Sequence, residues 1–388
     1  MPSPPLWREP AAAALILCAA LITMANSTIS PALPGIEALY PNNPNAAMLT
    51  RLLVPAPSIT AMAIAPFVGA LADRFGRRPL LLGGLALYVV AGAAPLWPMS
   101  LEAIFVSRLV LGVAVALVLT TSAALVGDLF LGERRAGVLG LQISARNFGG
   151  MLGIVGAGML ASISTRLPFG IYISALLVLW ITWRAVQDVP RVESKNTSTQ
   201  EETRGWAVPL AAICALQMVT AMTFFIMPTQ MPFYVQSLGH PPASSTGITM
   251  GTLTLAGALA ALRYRALAGL LGSQRVLALG YGAMAIGFAI LAPATGLLIL
   301  TAGAAMVGVG FALVSPALPA LALATAPDHR RGLALGALTT AVYLGQILSP
   351  FASQALIEGY GFAALYVTAT VAAGALAVGA VLRRTSLD

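Results

Sequence analysis

Most of what soluble proteins use to fold and to do chemistry is scarce in this chain. Of its 388 residues, two are cysteine, two are histidine, one is lysine, and only 9% carry charge. Cys18 and Cys214 both fall inside long apolar runs, where a thiol reads as a small buried apolar group, so no disulfide framework is expected. His240 and His329 belong to opposite sides of those runs, and no Cys or His cluster has metal-ligand spacing, so no metal is expected either. There is no Gly-Lys-Ser/Thr loop to cradle a phosphate, which excludes ATP as an energy source. The Gly308 and Gly310 pair sits within an apolar run without a third glycine or a strand, which excludes a dinucleotide fingerprint. No cofactor and no enzymatic chemistry are implied. Asn26-Ser27-Thr28 spells a glycosylation triplet, but inside an apolar run it carries no meaning.

Apolar residues fill the space these absences leave. They make up 58% of the chain, with a mean hydropathy of +0.87, a profile that no soluble domain has. The runs are long and numerous, and a membrane-spanning helix needs about 20 residues to cross about 30 Å of hydrocarbon. Twelve spans are predicted, at 11–33, 49–72, 79–97, 101–127, 136–160, 166–183, 207–235, 243–263, 275–293, 295–325, 332–354 and 361–382. The fold class expected is therefore an all-α polytopic membrane protein in contact with the lipid bilayer. The opening decapeptide MPSPPLWREP precedes a run too long, and too lacking in a small-residue cleavage site, to read as a removable signal peptide.

Basic residues orient the spans, because short cytoplasmic loops retain Lys and Arg. Seventeen of the 21 fall on one side, while Arg51 and Arg166 fall on the other and Arg108 and Arg146 lie within spans. Both termini are then cytoplasmic. The net charge of +8 reads as topology, and no nucleic-acid partner is implied.

The most polar stretch, DVPRVESKNTSTQEETRG, is too poor in apolar residues to fold alone and divides the spans six and six. The organisation predicted is a six-helix bundle at 1–183, a cytoplasmic linker at 184–206 and a second bundle at 207–388. Motifs recur between the halves at an offset of 196 residues. GVAVALV at Gly112–Val118 matches GVGFALV at Gly308–Val314, Arg134 and Arg135 match Arg330 and Arg331, and Leu139-Gly140 matches Leu335-Gly336. Two related halves imply an axis along the membrane normal and a substrate site near the midplane. Pro31 and Pro34, and Pro228 and Pro232, are expected to kink the first helix of each half. Glycines at 149, 150, 153, 156 and 158 give the fifth span a small-residue face.

The turn after the second span reads GALADRFGRRPLLL over Gly69–Leu82, placing one acid and three arginines between two apolar runs. Charges beside a bilayer need water or partners. The order of Gly69, Asp73, Arg74, Gly76, Arg77 and Arg78 resembles the signature loop between helices 2 and 3 of the major facilitator superfamily. ISPALPGI in the first span resembles the first-helix motif of that family's 12-helix drug and metabolite exporters. RLVLG at Arg108–Gly112 resembles the fourth-helix motif, whose arginine faces the central cavity and is tied to proton coupling. The resemblance implies two pseudo-symmetric bundles and alternating access. It also implies a cytoplasmic gating latch formed by Gly69, Asp73, Arg74, Gly76, Arg77, Arg78 and Asp128. The fifth-span Gly-Pro pair typical of antiporters is replaced by Gly153-Ile154.

No Asp, Glu or His lies near the middle of a predicted span. A substrate and coupling cavity is expected to hold Arg108, Arg146, Asn26, Asn147, Gln217, Met222, Phe225, Gln230 and Gln346, a set suited to anions or zwitterions. Met218, Met222, Met227, Met231, Phe224, Phe225 and Tyr234 give the seventh span the soft apolar surface that adaptable sites use. Glu37 and Asp128 are the candidates for carrying a proton, provided burial disfavours their charged form.

The activity expected is proton-coupled export of small organic molecules, by a monomer in the inner membrane of a bacterium. The bacterial address follows from the alanine, glycine and arginine richness. Three other readings are an importer or facilitator of a small organic anion, a lipid-type translocator, and a non-transporting receptor or scaffold.

Overall fold

The computed structural model describes residues 9–187, 205–327 and 330–382, apart from the side chains of Asp73, Ala136 and Ser273. The described residues form helices joined by turns and short 3₁₀ segments. The helices are α1 (Pro10–Ser27), α2 (Leu33–Ala38), α3 (Ala46–Leu52), α4 (Ala56–Phe75), α5 (Arg77–Ala93), α6 (Leu101–Leu129), α7 (Gly132–Ile163) and α8 (Ala175–Ala185). They continue with α9 (Ala207–Ser237), α10 (Pro242–Leu271), α11 (Ser273–Leu291), α12 (Leu297–Val314), α13 (Ala317–Thr325) and α14 (Arg331–Leu382). Nine of the described helices or joined helix pairs are long and apolar enough to cross a membrane, or ten if the bent pair of α3 and α4, at 49°, is one span. α7 is not among them; it carries Glu133, Arg134, Arg135 and Arg146. The two spans predicted at 332–354 and 361–382 run together as α14, whose 52 residues are interrupted at Gly361, where φ is 80°.

Contacts divide the chain into two compact units, Met1–Glu193 with Pro242–Gly247, and Ser194–Pro241 with Ile248–Asp388. Within each, the same frame recurs. α6 runs from Leu101 to Leu129, and α12 with α13 from Leu297 to Thr325, so both ends are displaced by 196 residues. The turn closing α4 is Gly76 (φ 87°) and the turn closing α10 is Gly272 (φ 81°), each donating its N–H to the carbonyl four residues back at 3.0 Å. A left-handed φ at a helix C-terminus is a position glycine fills without steric cost.

Helix packing repeats with equal fidelity. A methyl group added to Gly84 would meet Ala114, Leu117 and Val118, and one added to Gly280 would meet Gly310, Leu313 and Val314, the same positions displaced by 196. A methyl on Gly112 would strike the Pro57 carbonyl, and one on Gly308 the Leu253 carbonyl, again in register. Small residues let backbones close without a side chain between them, which is how helices associate where lipid is the solvent.

The units differ where proline interrupts them. α1 stops at Ser27 and resumes as α2 only after a 3₁₀ turn at Ser30–Ala32, with Pro31 in the break and Pro34 at the start of α2. α9 instead continues through Pro228 and Pro232 as one helix, and the Thr229 hydroxyl donates to the Phe225 carbonyl at 2.6 Å in the same turn. Hydroxyl back-bonding of this kind tolerates proline within a membrane helix. α12 ends at Val314 just before Pro316, whereas α6 passes the corresponding Thr120 without a break.

Candidate functional site

In the first unit the most deeply buried charge is Arg108, on the second turn of α6, with no accessible surface at all. An unpaired cation within a membrane helix costs several kcal/mol, so its acceptors must be identified. Nη1 donates to the Tyr172 hydroxyl at 2.7 Å and to the Ala25 carbonyl at 3.4 Å, and Nη2 donates to the Gly92 carbonyl at 3.5 Å. Tyr172 in turn donates to the Ala25 carbonyl at 3.0 Å. Ala25 lies in the last turn of α1 and Gly92 in the last turn of α5, where carbonyls lack partners within their own helices. A helix C-terminus carries roughly half a negative charge, so two of them approximate the counter-charge that a carboxylate would bring.

Aromatic rings complete the enclosure. The guanidinium carbon lies 4.7 Å from the centre of the Tyr172 ring and 5.3 Å from that of Phe169. Gly92 is required beneath Tyr172, because a methyl there would come within 2.5 Å of the ring. Tyr88 packs beside Tyr172 with ring centres 5.5 Å apart, and its hydroxyl donates to the Leu21 carbonyl at 2.8 Å. The sequence places Arg108 in an open cavity as a ligand group, whereas the structure encloses it as a cap shared by two helices. Tyr172, Phe169 and Gly92 escape sequence reading because they come from other segments and form no motif with Arg108.

The remaining candidates of this unit spread along it. Asn26 is half-buried and donates to the Ser58 hydroxyl at 3.2 Å, leaving its carbonyl oxygen buried without a partner. Arg146 is half-buried on α7 and Asn147 is exposed. Glu37 is not a bare carboxylate, since it accepts from Arg51 at 2.9 Å, and Arg51 also donates to the Ala47 carbonyl at 2.7 Å. A shallow cleft of about 560 Å³ near Tyr40, Asn43, Asn45 and Glu102 contains none of the candidates.

Gly149, Gly150 and Gly153 of α7 close on α1, where added methyl groups would meet Ala20, Thr23 and Thr28. Buried Gln142 of α7 braces the same helix pair by donating to the Leu15 carbonyl of α1, and ties both to α6 by donating to the Ser122 hydroxyl, each at 3.0 Å. This is a polar contact that the apolar reading of the fifth span overlooks.

The loop predicted as a latch brings some of its members together. Arg77, at the start of α5, forms an ion pair with Asp128 near the end of α6 and donates to the Ala124 carbonyl at 3.2 Å. Arg78 donates to the Trp183 carbonyl at 2.9 Å. Arg74 is exposed and lies over the Phe75 ring at 5.3 Å, and Gly69 has open space around it. The side chain of Asp73 lies outside the described residues. A second pair at this end, Arg134 to Glu9 at 2.5 Å, joins the start of α7 to the entry of α1.

In the second unit Gln230 is fully buried and donates to Ser353 at 2.9 Å, tying α9 to α14. Gln217 on α9 and Gln346 on α14 are 6% and 7% exposed. Gly345, next to Gln346, closes on the Met218–Met222 backbone. Met222 and Phe225 are half-buried, and Phe224 stacks on Phe311 with ring centres 3.7 Å apart.

A sequence profile of the Major Facilitator Superfamily matches residues 15–350, and matches residues 213–387 a second time. The chain belongs to the Major Facilitator Superfamily. It is accordingly a multi-pass membrane transporter. The tetracycline resistance protein, class C, of Escherichia coli is 28% identical over 285 residues, 69% of each chain. The quinolone resistance protein NorA of Staphylococcus aureus is 30% identical over 118 residues, 30% of each chain. Among solved structures, a D-xylose-proton symporter superposes with a TM-score of 0.81 over 97% of both chains at 18% identity, a likeness of major facilitator fold alone.

Proposed function

We propose that this transporter exports small organic molecules, anionic or zwitterionic in character, from the bacterial cytoplasm by proton-coupled alternating access. The observation that carries the export reading is the similarity to the tetracycline resistance protein over 69% of both chains. The latch supports alternating access, because Arg77 and Asp128 join the ends of two helices through a half-exposed ion pair that water can compete for when a conformation changes. Substrate character rests on charge. Among the described residues the acids lie at helix ends or, for Glu358, three residues before the break in α14 at Gly361, whereas Arg146 lies half-buried about 15 residues into α7. In this reading Arg108 positions the broken first helix, Arg146 and Asn26 are the polar groups that the first unit offers to substrate, and Gln217 and Gln346 are those that the second unit offers. Protons are the coupling ion, the protein works as a monomer, and no nucleic acid is involved.

The test is proton movement in proteoliposomes containing a trapped pH dye, challenged with organic carboxylates, zwitterionic metabolites and lipophilic cations. Carboxylate- or zwitterion-evoked proton flux that falls at least about tenfold in Arg146→Ala is the expected result. Flux evoked by cations alone would overturn the substrate class. Carboxylate uptake without a proton signal would replace the exporter with a facilitator, a reading that Gly153-Ile154 in place of a Gly-Pro pair favours.

A further inference from the structure

The basic residues at the turn-forming ends of the two units are satisfied in different ways. In the first unit Arg77 pairs with Asp128, Arg134 pairs with Glu9, Arg78 is held by the Trp183 carbonyl, and Arg184 stacks on Trp180 and Trp183. In the second unit the sole acid among the described residues is Glu358, which accepts from Gln354 at 2.8 Å. It lies 27 residues, about 40 Å, along α14 from Arg331, and so at the opposite end of the unit. Arg263 and Arg265 in the last three turns of α10 and Arg275 at the start of α11 are exposed and have no ion pair or side-chain hydrogen bond among the described residues.

We propose that Arg263, Arg265 and Arg275 bind the phosphate headgroups of anionic phospholipids in the leaflet at that end of the protein. Register is the first argument. Pro242 to Leu262 is 21 residues of α10, which span about 31 Å, so Arg263 is the first residue to emerge from the hydrocarbon on that side. The first unit places Phe67, Gly69 and Pro79 at the three corresponding positions and keeps its arginines at the turn itself.

Surroundings are the second argument. Leu259 and Leu262 are 59% and 78% exposed just before Arg263, so acyl chains and headgroups meet leucine and arginine side by side. Residues two apart on a helix do not share a face, so Arg263 and Arg265 form a collar rather than a pocket. A collar reads charge and not headgroup shape, and each arginine near an anionic surface is worth about fivefold in binding.

Native mass spectrometry of the purified protein, after a fixed detergent wash, counts retained phosphatidylglycerol and phosphatidylcholine. Three proteins are compared: wild type, R263Q/R265Q/R275Q and R263K/R265K/R275K. The expected result is a loss of phosphatidylglycerol of about tenfold or more in the glutamine variant, with retention in the lysine variant and unchanged phosphatidylcholine in all three. Single glutamine variants, which disturb folding least, should each lose a few-fold. Undiminished phosphatidylglycerol in the glutamine variants overturns the proposal. So does an equal loss in the lysine variant, or parallel loss of phosphatidylcholine. Displacement of the lipid by about 10 mM inorganic phosphate would reveal a free-phosphate site and also overturn it.

Discussion

Gly112 and Gly308 let their helices close on neighbours that correspond residue for residue, yet Arg108, four positions before the first, has Ala304 as its counterpart four positions before the second. The difference follows the backbone. Ala25 sits where α1 is about to break and its carbonyl needs a donor, whereas the corresponding Ala221 lies inside unbroken α9, where the helix supplies one. Packing glycines are held in register in both halves because a methyl group would separate two helices. Among the described residues a buried cation is present only in the half whose broken helix can accept it.

Removing that cation is the most damaging way to break the comparison. Arg108→Ala leaves the Gly92 carbonyl and the Tyr172 hydroxyl short of a donor, leaves the Ala25 carbonyl to Tyr172 alone, and opens a void between two rings. The expected cost is on the order of 3 kcal/mol, together with loss of transport. Thermal unfolding in detergent measures it, and Ala304→Gly in the other half should cost about 1 kcal/mol. Comparable losses at the two positions would mean that the helix-end account of Arg108 is wrong.

Gly112→Ala and Gly308→Ala test the shared part of the frame. Each pushes a methyl group onto a backbone carbonyl, and each should destabilise by roughly 1–3 kcal/mol. Matching shifts in melting temperature are expected. A shift at one site alone would show that the duplication preserves sequence without preserving the crossing.

These contrasts also mark what the sequence could convey. Long apolar runs, the GALADRFGRRP turn and the offset of 196 are local or periodic, so the all-helical membrane fold and the duplicated frame could be read from residues alone. The division of the second span into α3 and α4, the unbroken path of α9 through two prolines and the company of Arg108 could not. Each depends on which distant carbonyl, hydroxyl or ring fills the space beside it. Arg108 and Tyr172 are 64 residues apart, and Glu37 and Arg51 meet only because the first two spans fold back on each other. A charge is legible in a sequence, but its partner is a property of packing.

Arg77→Gln separates stability from turnover in the half that carries ion pairs. The Arg77 and Asp128 side chains are 32% and 33% exposed, so losing the pair should cost about 1 kcal/mol or less in thermal unfolding. If the pair is a latch, transport should nonetheless fall severalfold in Arg77→Gln and in Asp128→Asn, and the double variant should be no worse than either single one. Additive losses would assign the two residues to separate tasks.

The smallest effect belongs to Glu9 and Arg134, 35% and 38% exposed and joined at 2.5 Å. Their counterparts in the other half are Gly205 and Arg330, so the corresponding position lacks the acid. Exposed pairs are worth a few tenths of a kcal/mol and are screened by salt. Glu9→Gln should therefore lower the melting temperature by about a degree at low ionic strength and leave it unchanged near 1 M salt. Gly205 has φ 113°, a backbone conformation that strains any side chain, so Gly205→Glu should lower stability as Glu9→Gln does, and salt should act on the two in opposite directions if Arg330 meets the new acid. A salt-sensitive offset to that strain would mean that Arg330 draws an acid as Arg134 does; a loss of the same size at every salt concentration would mean that the backbone at Gly205 alone decides the outcome, and that the divergence of the halves reaches the backbone at this end as it does at the α1 break.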